Sequence, residues 1–121
     1  MLKANFITAQ EAAEKIQDGS TLCTIGMTLV SASESILKAI EKRFETVGHP
    51  ADITLVHSCG QSDRKDGIQH LAHEGLVKRI VGSHWGLQPR WMEMIANIQA
   101  EEVHYLSEPV FSLGITPSIK S

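Results

Sequence analysis

Apolar positions along this chain alternate between helical and strand periods, and the alternation predicts the order of elements. In "ITAQEAAEKIQDGS", Thr8 reads as an N-cap with Glu11 completing a capping box, and Ala12, Ala13 and Ile16 form an apolar stripe after Ile7. Asp18-Gly19 closes that helix, glycine suiting the left-handed closing position. "STLCTIG", Ser20 to Gly26, is a β-rich run read as a buried strand. A second helix is predicted from about Ser33, with Ile36, Leu37, Ile40 and Phe44 on its inner face. Glu34, Lys38, Glu41, Lys42 and Glu45 supply the wet face, Glu34 and Lys38 being a favourable (i, i+4) pair, and Gly48 to Pro50 stops the helix.

The second half repeats the alternation. Asp52 to Ser58 is a strand running into Cys59-Gly60, followed by the polar loop "GQSDRKDG" and a short helix from about Gln69 to Gly75. "VKRIVGS" is a third strand, and Pro89 to Ile98 a helix with proline in its first turn and Trp91, Met94, Ile95 and Ile98 as its stripe. "EEVHYL" is a fourth, weaker strand. Strands alternating with helices, without hairpin turns between them, predict an α/β fold: an open, mostly parallel sheet flanked by helices. Ligands in such sheets bind beyond the carboxyl ends of the strands. The loops to watch therefore follow Gly26, Ser58, the Gly82-Ser83 turn and Leu106.

Composition narrows the function classes. The chain has 121 residues and a mass of 13.3 kDa, enough for one small domain. Hydrophobic residues make up 42%, sufficient for a core. A net charge of −3, with no basic stripe beyond Lys78-Arg79, argues against nucleic-acid binding. Cys23 and Cys59 form no Cys-x-x-Cys pair, and Cys23, inside an apolar run, is expected to pack as a small hydrophobe. No stretch reads as a signal peptide or a membrane span, so the expectation is a cytoplasmic protein.

Unaided, the residues assign no reaction. His70 and His73 share a helical face and could bind zinc with His84, but this is not a His-Glu-x-x-His motif and no cysteine or carboxylate stands at a standard ligand offset. Packed or capping histidines are the expectation, with no metal. In the same way, Trp85 in the His84-Trp85-Gly86 turn reads as an anchor for its loop. No serine lies in a Gly-x-Ser-x-Gly elbow, and a Cys59–His57 thiolate pair is disfavoured because the strand ends between them. The loop "GMTLVSAS" has a single glycine, too few to wrap a pyrophosphate, though amides at the following helix start could hold an anion or oxyanion.

One run carries more. "AHEGLVKRIVGSHWGLQPR", Ala72 to Arg90, together with "ITAQEAAEKIQDGSTL" and "ILKAIEKRFETVGHPADITLVHSCGQSDRKDGIQHLAHEGL", resembles the N-terminal half of the family I coenzyme A transferases, the single-chain acetate/propionate type, over roughly Ile7 to Tyr105. The resemblance implies transfer of CoA between a short-chain acyl-CoA and a carboxylic acid. A glutamate of the C-terminal half attacks the thioester, giving an acyl anhydride and then a glutamyl-CoA thioester. The N-terminal half supplies turns around the acyl group and oxyanion. On this resemblance Gly26, Met27, Thr28, Gly60, Gly82 and Ser83 are the candidates for contact with substrate or CoA. CoA enters as a substrate, and no cofactor is implied.

The chain departs from the family pattern in three places. No residue matches the nucleophilic glutamate, and Glu108 is not promoted to that role. The loop after the first strand keeps only Gly26 of the family's glycines, with bulkier Leu29 and Val30 beyond it. After Leu106 the family's Pro-Gln-Gly is replaced by "SEPVFSLGITPSIKS". The expectation is a CoA-transferase-like domain over 1–106 with a divergent tail over 107–121, inactive alone, self-associating or completed by a separate C-terminal half. The rival reading is a non-catalytic binding or assembly module of the same fold.

Overall fold

The computed structural model describes residues 3–26, 28–57, 61–82 and 88–104. Met27, Ser58, Cys59, Gly60, Ser83, the His84-Trp85-Gly86 turn and the tail over 107–121 lie outside the described residues.

The elements run α1 (Ala9–Glu14), β1 (Thr21–Thr24), α2 (Glu34–Val47), β2 (Ile53–His57), a 3-10 turn (Gly67–Leu71), β3 (Val77–Gly82), α3 (Pro89–Ala96) and β4 (Glu101–His104). Local chemistry accounts for most of their ends. The Thr8 hydroxyl accepts from the Glu11 amide while the Glu11 carboxylate accepts from the Thr8 amide, the reciprocal capping box. Gly48 closes α2 in the left-handed region with φ +74°, where glycine bears no Cβ penalty. Pro89 opens α3 at its first turn.

The four strands form one wholly parallel sheet in the order β1-β2-β3-β4. Parallel strands taken in sequence and joined by right-handed crossovers carry every connection on one face. Accordingly Ala13 of α1, Leu37 and Ile40 of α2, Ile68 and Leu71 of the 3-10 turn and Trp91 and Met94 of α3 join Ile53, Leu55 and Ile80 in a single core. A second, smaller cluster, Val81 and Val103 with Val56, belongs to the next register row (Cys23, Val56, Val81, Val103), whose side chains project from the opposite face. One bulge reconciles the pattern on β3. Val77 pairs with Ile53 and Arg79 with Thr54, so Lys78 is the extra residue and both Val77 and Ile80 reach the core.

Several expectations are corrected. Cys23 is exposed rather than packed, because it lies on the sheet face away from the helices. The helix expected over Gln69 to Gly75 is a 3-10 turn two residues earlier, ending where Ala72 leaves helical backbone. Ile36 is 37% exposed at the flank of the α2 stripe. Ile98 lies past the end of α3 with φ +56° and is 91% exposed. Among the described residues no helix is long and apolar enough to cross a membrane.

Candidate functional site at the carboxyl ends of the strands

Thr24 and His57 stand side by side in the register, as do Gly82 and His104, so all four strands end along one edge. Beyond β1 the chain turns sharply. Gly26 has φ +136°, and a Cβ there would sit 2.8 Å from the Val30 carbonyl oxygen and 3.2 Å from the Ala32 amide, so glycine is required. Thr28 (φ +54°) and Ser31 (φ +62°) also adopt left-handed backbone, and the Ala32 amide closes the turn on Leu29 O at 3.2 Å. The apolar side chains of this loop face outward: Ile25 and Val30 are 71% and 68% exposed, and Leu29 is exposed with them.

The segment after β2 is held by buried carboxamides. Gln61 Nε2 donates to the Thr24 carbonyl at the end of β1 (2.9 Å), and the Gln61 carbonyl accepts from the Ile68 amide (2.8 Å). The loop between them closes so tightly that a Cβ on Gly67 (φ +81°) would lie 1.9 Å from Gln61 O. The Ser62 hydroxyl donates to Asp66 O (2.7 Å) and accepts from the Arg64 amide and from Gln69 Nε2 (3.0 and 3.1 Å), which fills its bonding capacity. The other end of the Gln69 carboxamide, Oε1, accepts from the Arg90 amide in the first turn of α3 (3.0 Å). Trp91 Nε1 donates to Ile68 O at 3.0 Å and adds a second tie between α3 and the 3-10 turn. Gln61, Ser62, Gln69 and Gln88 are all buried.

Behind this edge, His70 and His73 face the acidic side of α2. His70 Nδ1 lies 2.7 Å from Glu41 Oε2 and Nε2 lies 2.5 Å from Glu34 Oε1, with Asp66 Oδ1 at 3.5 Å. His73 Nε2 lies 2.8 Å from Glu41 Oε1 and 3.1 Å from Arg90 Nη2. Arg90 Nη2 donates to Ala72 O (3.1 Å), and its Nη1 stands 3.6 Å from Glu41 Oε1. Glu34 Oε2 accepts from the Gly67 amide (3.0 Å), clasping the 3-10 turn to α2. Burial pushes the Glu41 carboxyl up, but hydrogen bonds and positive charge from His73 and His70 outweigh it and hold Glu41 below its ordinary value. Two groups, Glu34, Asp66 and His70, and Glu41, Glu45 and His73, bring potential metal-ligand atoms within 4.8 Å of one another. Their short nitrogen–oxygen contacts are those of charge-assisted hydrogen bonds that hold two elements together.

Of the sequence-predicted site residues, Gly26 and Thr28 lie in the loop after β1 and Gly82 is the buried last residue of β3; Met27, Gly60 and Ser83 lie outside the described residues. His57, considered as a partner for Cys59, is fully buried at the end of β2, and Cys59 lies outside the described residues. The buried glutamines escaped the sequence reading, because a lone polar residue in a polar loop carries no pattern that distinguishes a buried tie from a solvated side chain. A groove of about 740 Å³ lies elsewhere, between α1 and α2, lined by Gln10, Glu14, Lys38, Lys42, Arg43 and Val47 among others. No strand-end residue lines it.

No protein-family model matches the chain. It is 39% identical over 84 residues to the caffeate CoA-transferase of Acetobacterium woodii, covering 69% of this chain and 16% of that protein. It is 34% identical over 90 residues to the acetate CoA-transferase YdiF of Escherichia coli K12, covering 73% and 17%. Among solved structures, the acyl-CoA transferase YdiF of E. coli O157:H7, in a thioester complex with CoA, superposes with a TM-score of 0.79 at 29% identity, over 88% of this chain and 22% of that one. The chain thus spans about a sixth of the length of the curated relatives it matches. Agreement in sequence and in fold, over most of the chain, identifies it as a member of the family I coenzyme A transferases.

Proposed function

We propose that the chain is the N-terminal portion, residues 1–106, of a cytoplasmic enzyme that moves CoA between a short-chain acyl-CoA and a carboxylic acid, with 107–121 a divergent tail. A glutamate outside this chain attacks the thioester carbonyl and expels CoA thiolate, forming an acyl anhydride. The thiolate then attacks the glutamyl carbonyl and releases the carboxylate, leaving a glutamyl-CoA thioester for the incoming acid. The observation that carries this reading is the superposition on the YdiF thioester complex with CoA, over 88% of this chain. Within the chain, the strand-end loops that hold Gly26, Met27, Thr28, Gly60, Gly82 and Ser83 are proposed to face CoA and the acyl group. Ser33 makes no side-chain cap and the Ile36 amide already donates to Ser33 O, so the Glu34 and Ser35 amides at the start of α2 are the ones proposed to meet an anionic oxygen.

The reading predicts that the isolated chain binds CoA yet turns nothing over, because loss of the nucleophile removes the covalent route itself. Purified chain is mixed with acetyl-CoA and propionate, and propionyl-CoA is followed by chromatography while CoA binding is measured by calorimetry. Propionyl-CoA formed at ordinary enzymatic rates would overturn it. A second reading, an assembly module docking on a separate chain, draws on the exposed Ile25, Leu29 and Val30. Light scattering separates the two readings: a strict monomer that binds CoA argues against the module.

A further inference from the structure

The first amides of an α-helix have no partner inside it, and a side chain just before the helix normally takes one up. In α3 the N-cap residue, Gln88, makes no such side-chain bond. The Arg90 amide is instead taken by Gln69, twenty-one residues earlier and on another element. The same carboxamide donates to Ser62, in the segment that follows β2. Gln69 is fully buried, as is Ser62, so neither bond competes with water. One planar group of fixed width therefore joins the segment leaving β2 to the helix that begins after the β3 loop. Gln61 extends the chain of ties to the end of β1 through Thr24 O.

We propose that Gln69 is a positioning residue: its carboxamide sets the spacing between the Gln61-Ser62 segment and the first turn of α3, and so the shape of the CoA site. The inference rests on the strand-end reading given under Proposed function. Gln69 need not touch CoA to do this. An apolar side chain of similar size would fill the volume but leave the Ser62 hydroxyl and the Arg90 amide free to part.

The test compares Gln69→Leu with Ile40→Val, a core change in α2 that removes none of the Gln69 hydrogen bonds. CoA titration by calorimetry is paired with amide hydrogen exchange followed by NMR. The expected result is at least a tenfold loss of CoA affinity and a comparable rise in exchange at the Arg90 amide for Gln69→Leu, with Ile80 in β3 little changed. Ile40→Val should lower protection across the core while keeping CoA affinity within about twofold. Equal affinity in Gln69→Leu and the wild type would overturn the proposal, as would equal losses in both variants. Failure of the wild-type chain to bind CoA would overturn the functional reading instead. In that case the exchange data judge the tie alone: unchanged protection at Arg90 sinks it, and faster exchange confined to Arg90 and the Ser62 segment supports it.

Discussion

His70 is held between two carboxylates of one helix: its ring nitrogens lie 2.5 Å from Glu34 and 2.7 Å from Glu41. The ring acts as a clip between α2 and the 3-10 turn, with Asp66 close by and the Gly67 amide bound to Glu34. Removing it takes one close partner from both Glu34 and Glu41 in a partly buried space, leaving the Gly67 amide on Glu34 and His73 and Arg90 on Glu41. His70→Ala is therefore expected to destabilise the fold by about 2–3 kcal/mol, read as a shift in the urea midpoint. A change below about 0.5 kcal/mol would show the contact to be a surface pair of little consequence.

Acid should act through Glu41. Its carboxyl is held below the ordinary value because burial, which raises it, is outweighed by the hydrogen bonds and charge of His73 and His70. A carboxyl lowered on folding contributes stability that is complete above its unfolded value of about 4.3 and is lost as pH falls through the folded one. Urea midpoints measured from pH 7 down to pH 3 should fall through the acid range in the wild type. Glu41→Gln should be less stable at pH 7 and lose less of what remains. Parallel curves for the two proteins would exclude Glu41 as a source of the acid sensitivity.

Two left-handed glycines should answer differently to the same substitution. Gly75→Ala meets only the Phe44 ring edge at 3.6 Å, so its cost is backbone strain of about 1–2 kcal/mol. Gly67→Ala adds to that strain a Cβ 1.9 Å from the Gln61 carbonyl oxygen, a clash that only movement of the loop can relieve. Circular dichroism melts should show Gly67→Ala losing well over about 3 kcal/mol or failing to fold. Similar melting temperatures for the two variants would refute the tight closure of the 61–67 loop.

At the amino end, Thr8→Ala removes the acceptor for the Glu11 amide and one half of the capping box. The expected cost is about 1 kcal/mol, visible as a small drop in melting temperature, and Thr8→Ser should restore most of it. If Thr8→Ser is as poor as Thr8→Ala, the hydroxyl is not the stabilising group.

Features that depend on a few neighbouring residues were legible in the chain before any fold was known. The Thr8–Glu11 box, the Glu34–Lys38 pair, the closure at Gly48 and the proline start of α3 all involve partners within four positions. Strand and helix periods likewise located four strands and three helices, and colinear resemblance pointed to the family. Beyond that range the signals fade. Periodicity says that Cys23 alternates with Leu22, but not which side of the sheet the helices cover. Nor does it reveal the extra residue Lys78, which turns both Val77 and Ile80 inward.

The candidate site shows the same division. Gly26 could be named from the strand-to-helix turn, since a tight turn demands a residue without Cβ wherever it occurs. Gln61 and Gln69 could not, because their partners, Thr24 at the end of β1, Ser62 after β2 and Arg90 in α3, come from three separate parts of the chain. Short-range sterics and hydrogen bonding are written into adjacent residues and can be read there. Burial of a polar group is set by which distant segments converge on it, and that convergence exists only once the four strands have aligned their ends.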